Sequence, residues 1–351
     1  MCRGTEWPAF LTERLSELWG EQGFLTAELL PLRKCDVEIA TKLEIDVEEL
    51  TVGDFMEEVS LRGMQPFAIR PNSLMMLLDA FRRGGGRLTR NQVEMFRDYC
   101  RTLCIENPSN TRHLLAPSVA GEADQLLAVA RRVAAVTILS HRPTIIAEPY
   151  YESSRTDEDL TISELTVGSE PVENRSVELD HGLIQRCLKS GLFTPHGEQP
   201  GRLRWSHWSY PEFLAADFLI ARRLSTRQIE DLIFAPEFSA GEQRQIVPQL
   251  AETAAWLAMM DSEFRVSVIR HDPKTLLRSQ VVSADDESRR QIVDSLLQFA
   301  QDGRFSGSRI PPQDYRNLEN SALTNQLIPW IGDHSKTVEV RRFALNIVEG
   351  T

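Results

Sequence analysis

Apolar side chains recur every three to four residues along most of the chain, and this spacing predicts amphipathic helices. One such stripe includes Phe55 and Val59. A further helix is predicted to start at Pro71 and to end at the triplet Gly84–Gly86, since proline favours the first turn of a helix and glycine favours its end. Apolar and polar residues do not alternate with period two between 36 and 112, so we predict that this region is all-α.

The pattern changes further along the chain. A strongly apolar helix is predicted at 123–141, whereas 147–178 is rich in Glu, Asp, Ser and Thr. We therefore predict that 147–178 is mostly loop around one short helical segment, LTISEL. A helix ending near Gly191 then precedes two strand-like runs, LFTP and RLRWSH, which are separated by the turn-rich HGEQPG. Helix, helix and β-hairpin in this order predict a winged helix.

The rest of the chain is predicted to be helical. One helix runs from Tyr210 to about Leu224, and the pair Asp272-Pro273 is a good start for another. Antiparallel helical pairs without strands predict a HEAT- or armadillo-like solenoid. The fold class is therefore mostly α. The predicted helices beyond residue 226 are 243–260, 262–271, 273–279, 287–301, 322–333 and 336–349.

Composition narrows the functional classes. The formal net charge is −12 over 351 residues, which disfavours non-specific binding to nucleic acid or to anionic lipid. The five cysteines include one close pair, Cys100 and Cys104, and no recurring pairs with metal-ligand spacing, so we predict no metal site. No apolar run approaches the ~20 residues of a membrane span, and the N-terminus has no apolar secretory core, so we predict a cytoplasmic protein.

Three segments together resemble the NACHT branch of the STAND NTPases, in particular bacterial members with helical repeats after the NTPase module. RWSHWSYPEFLAADFL at 204–219 is similar to the family signature of an aromatic residue, a histidine and a Glu-Phe-Leu-Ala-Ala helix. AIRPNSLMMLLDAFRRGGGRLTRNQVEMFRDYCRTLC resembles the small helical domain of the family. CRGTEWP, near the start, resembles the arginine-bearing loop that follows the sensor strand. The order of the three segments matches the family order.

The resemblance implies a nucleotide-binding role for three residues. Arg3 would read the terminal phosphate of ATP, because a guanidinium fork suits phosphate oxygens. Pro71 would form the wall beside the adenine. His207 would bind the β-phosphate of ADP and hold the module closed, with a charge-assisted hydrogen bond of roughly 1.5–3 kcal/mol. The ordinary roles remain open for all three: a solvated terminal arginine, a helix-starting proline and a structural histidine. Pro211 stands where the family has glutamine.

The family motifs for phosphoryl transfer are missing. The sequence contains no Gly-Lys pair, so it has no G-x-x-x-x-G-K-[ST] loop, and the pair Asp285-Asp286 lies in a polar stretch and not at the end of an apolar strand. We therefore expect no catalytic residues, no ATPase activity and no tight ADP or ATP binding by this chain alone. Magnesium would bind only in an intact P-loop parent. The implied domains are 1–34, a remnant of the NTPase core; 35–118, a small helical domain; 119–224, the winged helix; and 225–351, the HEAT-like repeats.

The resemblance implies a regulatory and oligomerisation segment that couples nucleotide state to opening and to ligand sensing, in the setting of bacterial defence against phage. Its expected partners are a missing NTPase core or an upstream effector domain, further copies of the chain, and a protein ligand on the repeats. The start at Met1 is interpreted as a fragment of a longer protein. Two alternatives remain: a nucleotide-independent helical scaffold, and a winged-helix DNA-binding regulator. The acidic charge disfavours the regulator, as does a recognition helix that carries only Arg186 and Lys189.

Overall fold

The chain is mostly helical with a small β region and forms two compact units, Met1–Leu88 and Thr89–Thr351. The finer division into four domains stays a prediction. The computed structural model describes residues 14–15, 17–20, 32–45, 50–62, 64–69, 71–88, 91–105, 117–147, 155–172, 175–196, 201–236, 244–278, 286–304, 315 and 318–350.

The first unit is built of helices, and its described residues contain no strand. Its core includes the rings of Phe55 and Phe81, which meet edge to face with centroids 5.3 Å apart. Gly86, which follows the last helix, has φ +88°, a backbone conformation that residues with a Cβ rarely adopt, so this position favours glycine. The helices are α1 (Lys34–Glu44), α2 (Val52–Leu61), α3 (Gln65–Ala68) and α4 (Pro71–Arg83).

Three helices form the centre of the second unit: α5 (Gln92–Ile105), α6 (Pro117–Ser140) and α9 (Ser209–Ala221). Helix α6 contacts both α5 and α9. Consecutive residues of α6 such as Val133 and Ala134 are fully buried, so the helix is apolar on more than one face. A helix of this kind belongs in the interior of a domain and not on its surface.

The β region lies between α6 and α9. Strands β1 (Thr144–Ile146), β2 (Asp159–Thr161), β5 (Phe193–Pro195) and β6 (Arg202–Trp205) form one sheet in the order β2-β1-β6-β5. The predicted hairpin is confirmed, because β5 pairs with β6 antiparallel and Phe193 stands opposite Trp205. Two short helices, α7 (Ile162–Leu165) and α8 (His181–Leu188), flank a second hairpin made of β3 (Ser169–Val172) and β4 (Arg175–Glu178).

The prediction that 147–178 is mostly loop is wrong for the described residues, which contain β2, α7, β3 and β4. The predicted helical segment within it is confirmed as α7. The strands were missed because each has only three or four residues and because β2 is completed by a partner outside the segment. Leu160 of β2 pairs with Ile145 of β1, which in turn pairs with Leu203 of β6. Such long-range pairing leaves no local period.

The last part of the second unit is helical, as predicted. The predicted helix 262–271 is observed as Ser262–His271, and the side chain of Asp261 fixes its start by accepting the backbone N–H of Glu263 (2.8 Å). Helices of this part pack on one another, α11 on α12, α14 on α16 and α15 on α16. The helices are α10 (Thr226–Ile233), α11 (Ala251–Met260, after the 3₁₀ turn Pro248–Leu250), α12 (Ser262–His271), α13 (Pro273–Arg278), α14 (Asp286–Gln301), α15 (Leu323–Gly332) and α16 (Val338–Gly350).

Candidate functional site

The three predicted nucleotide contacts have different places in the structure. Arg3 lies outside the described residues. Pro71 is the first residue of α4 in the first unit and is exposed. Proline has no backbone N–H, and its absence costs no hydrogen bond at this position, because the first N–H groups of a helix have no partner within the helix. His207 belongs to the second unit, on the loop that joins β6 to α9.

The loop before His207 is held by the hairpin and by α6. The indole of Trp205 is buried, stacks on Phe193 with centroids 4.3 Å apart, and donates a hydrogen bond from Nε1 to Thr137 Oγ1 (3.3 Å). The backbone N–H of Ser206 donates to the carbonyl of Leu192 (2.9 Å), and its hydroxyl donates to the same oxygen (3.0 Å). The backbone position of His207 is therefore fixed by its two preceding residues.

The His207 side chain is exposed, and its ring nitrogens have distinct roles. The backbone N–H of Ser209 donates to Nδ1 (3.2 Å), and the Ser209 hydroxyl lies 2.6 Å from the same nitrogen. Because Nδ1 accepts the backbone N–H, we assign the proton of the neutral ring to Nε2. In this tautomer the imidazole has a donor at Nε2, which is the role that binding to a phosphate oxygen requires.

Helix α9 begins at Ser209, two residues after His207. Its N-cap residue, Trp208, makes no capping bond through its side chain, and the Nδ1 of His207 accepts the first N–H of the helix. Pro211 lies in the first turn, where it removes no hydrogen bond within the helix, so the departure from the family glutamine is compatible with the fold. The first turn also contains the buried Glu212. A negative charge there is favoured by the positive end of the helix dipole.

An aromatic cluster of Tyr210, Phe96, Phe213 and Trp256 connects the surface at His207 with the interior. The His207 ring lies 5.8 Å from the ring of Tyr210, and Tyr210 lies 6.3 Å from Phe96. Phe96 contacts Phe213 at 4.8 Å and Trp256 of α11 at 4.9 Å. These residues therefore form a continuous packed path from the His207 loop through α5 to the helical region. In the sequence, their helical spacing predicts only that they are buried.

A buried ion pair was also missed by the sequence analysis. Asp217 of α9 is 2 % exposed. It accepts a hydrogen bond from Arg97 Nη2 of α5 (2.7 Å) and another from Arg131 Nε of α6 (2.6 Å). We call these three residues the Asp217 clamp. It joins the three central helices, and no sequence motif predicts it, because its members lie far apart in the chain.

The buried cysteines of α5 and α8 are neutral thiols. Burial raises the pKa of Cys104 to about 12, and burial raises the pKa values of Cys100 and Cys187 well above their usual range. Among the residues that the structure describes, no group of three or more His, Cys, Asp or Glu side chains could hold a metal ion. In the same residues, no helix combines the length and the apolar character needed to cross a bilayer.

Comparison with known proteins identifies no family for this chain. No protein-family model, no curated protein and no solved structure matches the chain. The features of the structure that bear on function are the tautomer and exposure of His207 and the packing that joins the His207 loop to the helices behind it.

Proposed function

We propose that this chain is the regulatory and oligomerisation segment of a NACHT-type signalling ATPase and that His207 binds the β-phosphate of ADP. The observation that carries the proposal is the exposed His207 imidazole, whose Nδ1 accepts the Ser209 N–H and whose Nε2 is therefore the donor. An imidazole that carries its proton on Nε2, beside the start of a 13-residue helix, suits an anionic oxygen.

The described residues fit one phosphate contact and not a complete nucleotide site. Bound ADP would supply the anionic oxygen that accepts a hydrogen bond from Nε2–H. The phosphate-binding loop and the magnesium ligands would come from a separate NTPase core, because the sequence has no Gly-Lys pair. Arg3 and Pro71 remain proposed contacts to the terminal phosphate of ATP and to the adenine.

Within this proposal, residues 119–224 form a winged helix, and residues 225–351 form HEAT-like repeats that sense a protein ligand. The aromatic cluster supports coupling between the two regions. A change at Tyr210 is transmitted to Phe96 and Trp256 because packed side chains move only between discrete arrangements. The proposed setting is a cytoplasmic homo-oligomer in bacterial antiphage defence, joined to an upstream effector domain.

The charge around α8 supports this proposal over DNA binding. In a winged-helix regulator, α8 would be the recognition helix, and its exposed cations are Arg186 and Lys189. Arg186 pairs with Glu122 at 2.8 Å, which reduces its charge for phosphate binding. The hairpin that precedes α8 ends at the exposed Glu178. Specific DNA-binding domains carry a basic surface at this place.

We predict that ADP shifts the ring nitrogen resonances of His207 when the ¹⁵N-histidine-labelled full chain is titrated at constant ionic strength. One charge-assisted hydrogen bond gives roughly 1.5–3 kcal/mol, which corresponds to a dissociation constant on the order of 10–100 mM. Adenosine, which has no phosphate, is expected to cause no such shift. Without nucleotide, the spectrum is expected to show the proton on Nε2.

The matched control uses a second exposed histidine at a helix start, His181 of α8. His181→Ala is expected to retain the ADP-dependent shift of His207, and His207→Ala is expected to remove the shifting resonance while other histidines stay in place. Equal shifts with adenosine and ADP, or a proton on Nδ1 in the free protein, would contradict the proposed phosphate contact.

A further inference from the structure

A shallow apolar groove lies between α6 and α9. Its cavity volume is about 310 Å³, at the lower end of the range for small-molecule sites. The proposed nucleotide function does not use it. Most of its wall is apolar, with one cation and one hydroxyl. It is lined by Arg132, Ala135, Val136, Leu139, Ser140 and Phe218.

Arg132, the cation of the groove, is not fully hydrogen-bonded. Arg222 and Arg132 share one buried carboxylate, that of Glu170, and Arg222 is the closer partner at 2.6 Å against 3.6 Å. Arg132 donates one hydrogen bond of 3.3 Å to the carbonyl of Val167. Its Nε is buried and has no hydrogen-bond partner among the described residues. Two guanidinium groups therefore share one negative charge, and Arg132 is the less fully paired of the two.

The positions of the lining residues indicate the length and the charge of a complementary ligand. Arg132 and Ser140 lie eight residues apart on α6, which is roughly 12 Å along a helix. Val136 and Leu139 lie between them on the same helix, and Phe218 of α9 completes the wall. The Arg222 guanidinium lies 5.3 Å from the centre of the Phe218 ring and adds positive charge on that side. The complementary molecule has an apolar body of about this length and one anionic end.

We propose that this groove binds a medium-chain carboxylate. The carboxylate pairs with the Arg132 guanidinium, which is suited to bidentate binding of two oxygens. The alkyl chain lies along Val136, Leu139 and Phe218 and covers apolar surface that water otherwise contacts.

The test is a calorimetric titration of the full chain with decanoate below its micelle-forming concentration. We expect saturable binding of one decanoate per chain and no saturable binding of decyltrimethylammonium, whose cationic head is repelled. Arg132→Gln is expected to weaken binding about tenfold or more, the effect of losing one charge-assisted contact. Arg132→Lys keeps the charge and is expected to restore part of the affinity, which distinguishes charge from a folding defect.

A second pair of variants tests the apolar wall. Leu139 in the groove is 38 % exposed, and Leu232 of α10, which does not line the groove, is 42 % exposed. Leu139→Gln is expected to weaken decanoate binding, and Leu232→Gln is expected to leave it unchanged. Absence of saturable binding to the unaltered chain would overturn the proposal. So would affinity that is the same in Arg132→Gln and Leu139→Gln as in the unaltered chain, or equal affinity for decanol.

Discussion

Replacing Asp217 by asparagine is expected to lower the free energy of unfolding of the second unit by about 3 kcal/mol. The substitution keeps the shape of the side chain and removes the negative charge that Arg97 and Arg131 share. Removing one partner of a buried ion pair leaves the other charges without compensation, and this typically costs about 3–5 kcal/mol. We expect the lower end of that range because both guanidinium groups keep some contact with water.

Asp124→Asn is the matched control for Asp217→Asn. Asp124 accepts a hydrogen bond of 2.6 Å from Arg101 Nε, the same distance as in the clamp, but both side chains are about 30 % exposed. An exposed pair contributes about 1 kcal/mol or less, so the control should change stability little. Urea unfolding followed by tryptophan fluorescence measures the stability of both variants. The second unit contains the tryptophans Trp205, Trp208, Trp256 and Trp330. Equal effects of the two substitutions would show that the clamp contributes no more than a surface pair.

Acidification is expected to destabilise the second unit through Asp159. Burial alone would raise the pKa of Asp159, but hydrogen bonds from Arg202, Thr144 and Thr156 outweigh it and hold the pKa well below its usual range. Arg202 donates from Nε (3.1 Å) and from Nη2 (2.8 Å) to the two carboxylate oxygens. The folded state therefore binds its proton at lower pH than the unfolded chain, where the pKa is about 3.9. The stabilisation is fully present above about pH 5 and is lost as the pH falls below the unfolded pKa.

The difference in stability between the unaltered chain and Asp159→Asn isolates this effect. We expect a difference of about 3 kcal/mol at pH 7, because Asp159 and Arg202 are a buried pair. It should shrink steadily below pH 4, since a protonated aspartate resembles asparagine. Other acid-sensitive groups contribute equally to the stability of both proteins, so their effect cancels in the difference. Glu164 is one such group: burial raises its pKa, but hydrogen bonds from Arg142 and Thr161 lower it to about 2. A difference that stays constant from pH 7 to pH 2.5 would contradict the assignment.

The helical part of the fold could be predicted because its signals are local. The helix Ser262–His271 was predicted at its observed bounds, since Asp261 supplies a cap and Pro273 starts the next helix. The strands β1 to β4 could not be predicted in this way. Three residues of β1 carry no period, and their pairing with β6 depends on the folding of everything between them.

The same distinction between local and long-range signals applies to the candidate site. His207 is visible in the sequence because it belongs to a motif, but its tautomer depends on the Ser209 N–H and needed the structure. Asp159, Glu170 and Asp217 read as surface residues, because charged side chains are seldom buried. Their arginine partners come from other elements, so neither the clamp nor the surplus charge of the groove has a sequence signature.

The genomic sequence upstream of the Met1 codon, translated in all three frames, decides whether this chain is part of a NACHT-type ATPase. We predict that it encodes a G-x-x-x-x-G-K-[ST] loop followed by an apolar strand with an acidic end, in frame or one frameshift away. Arg3, Pro71 and His207 would then be nucleotide contacts to test in the joined protein. An upstream region that encodes neither motif would contradict the nucleotide switch and would leave a helical scaffold or a winged-helix binding protein as the better account.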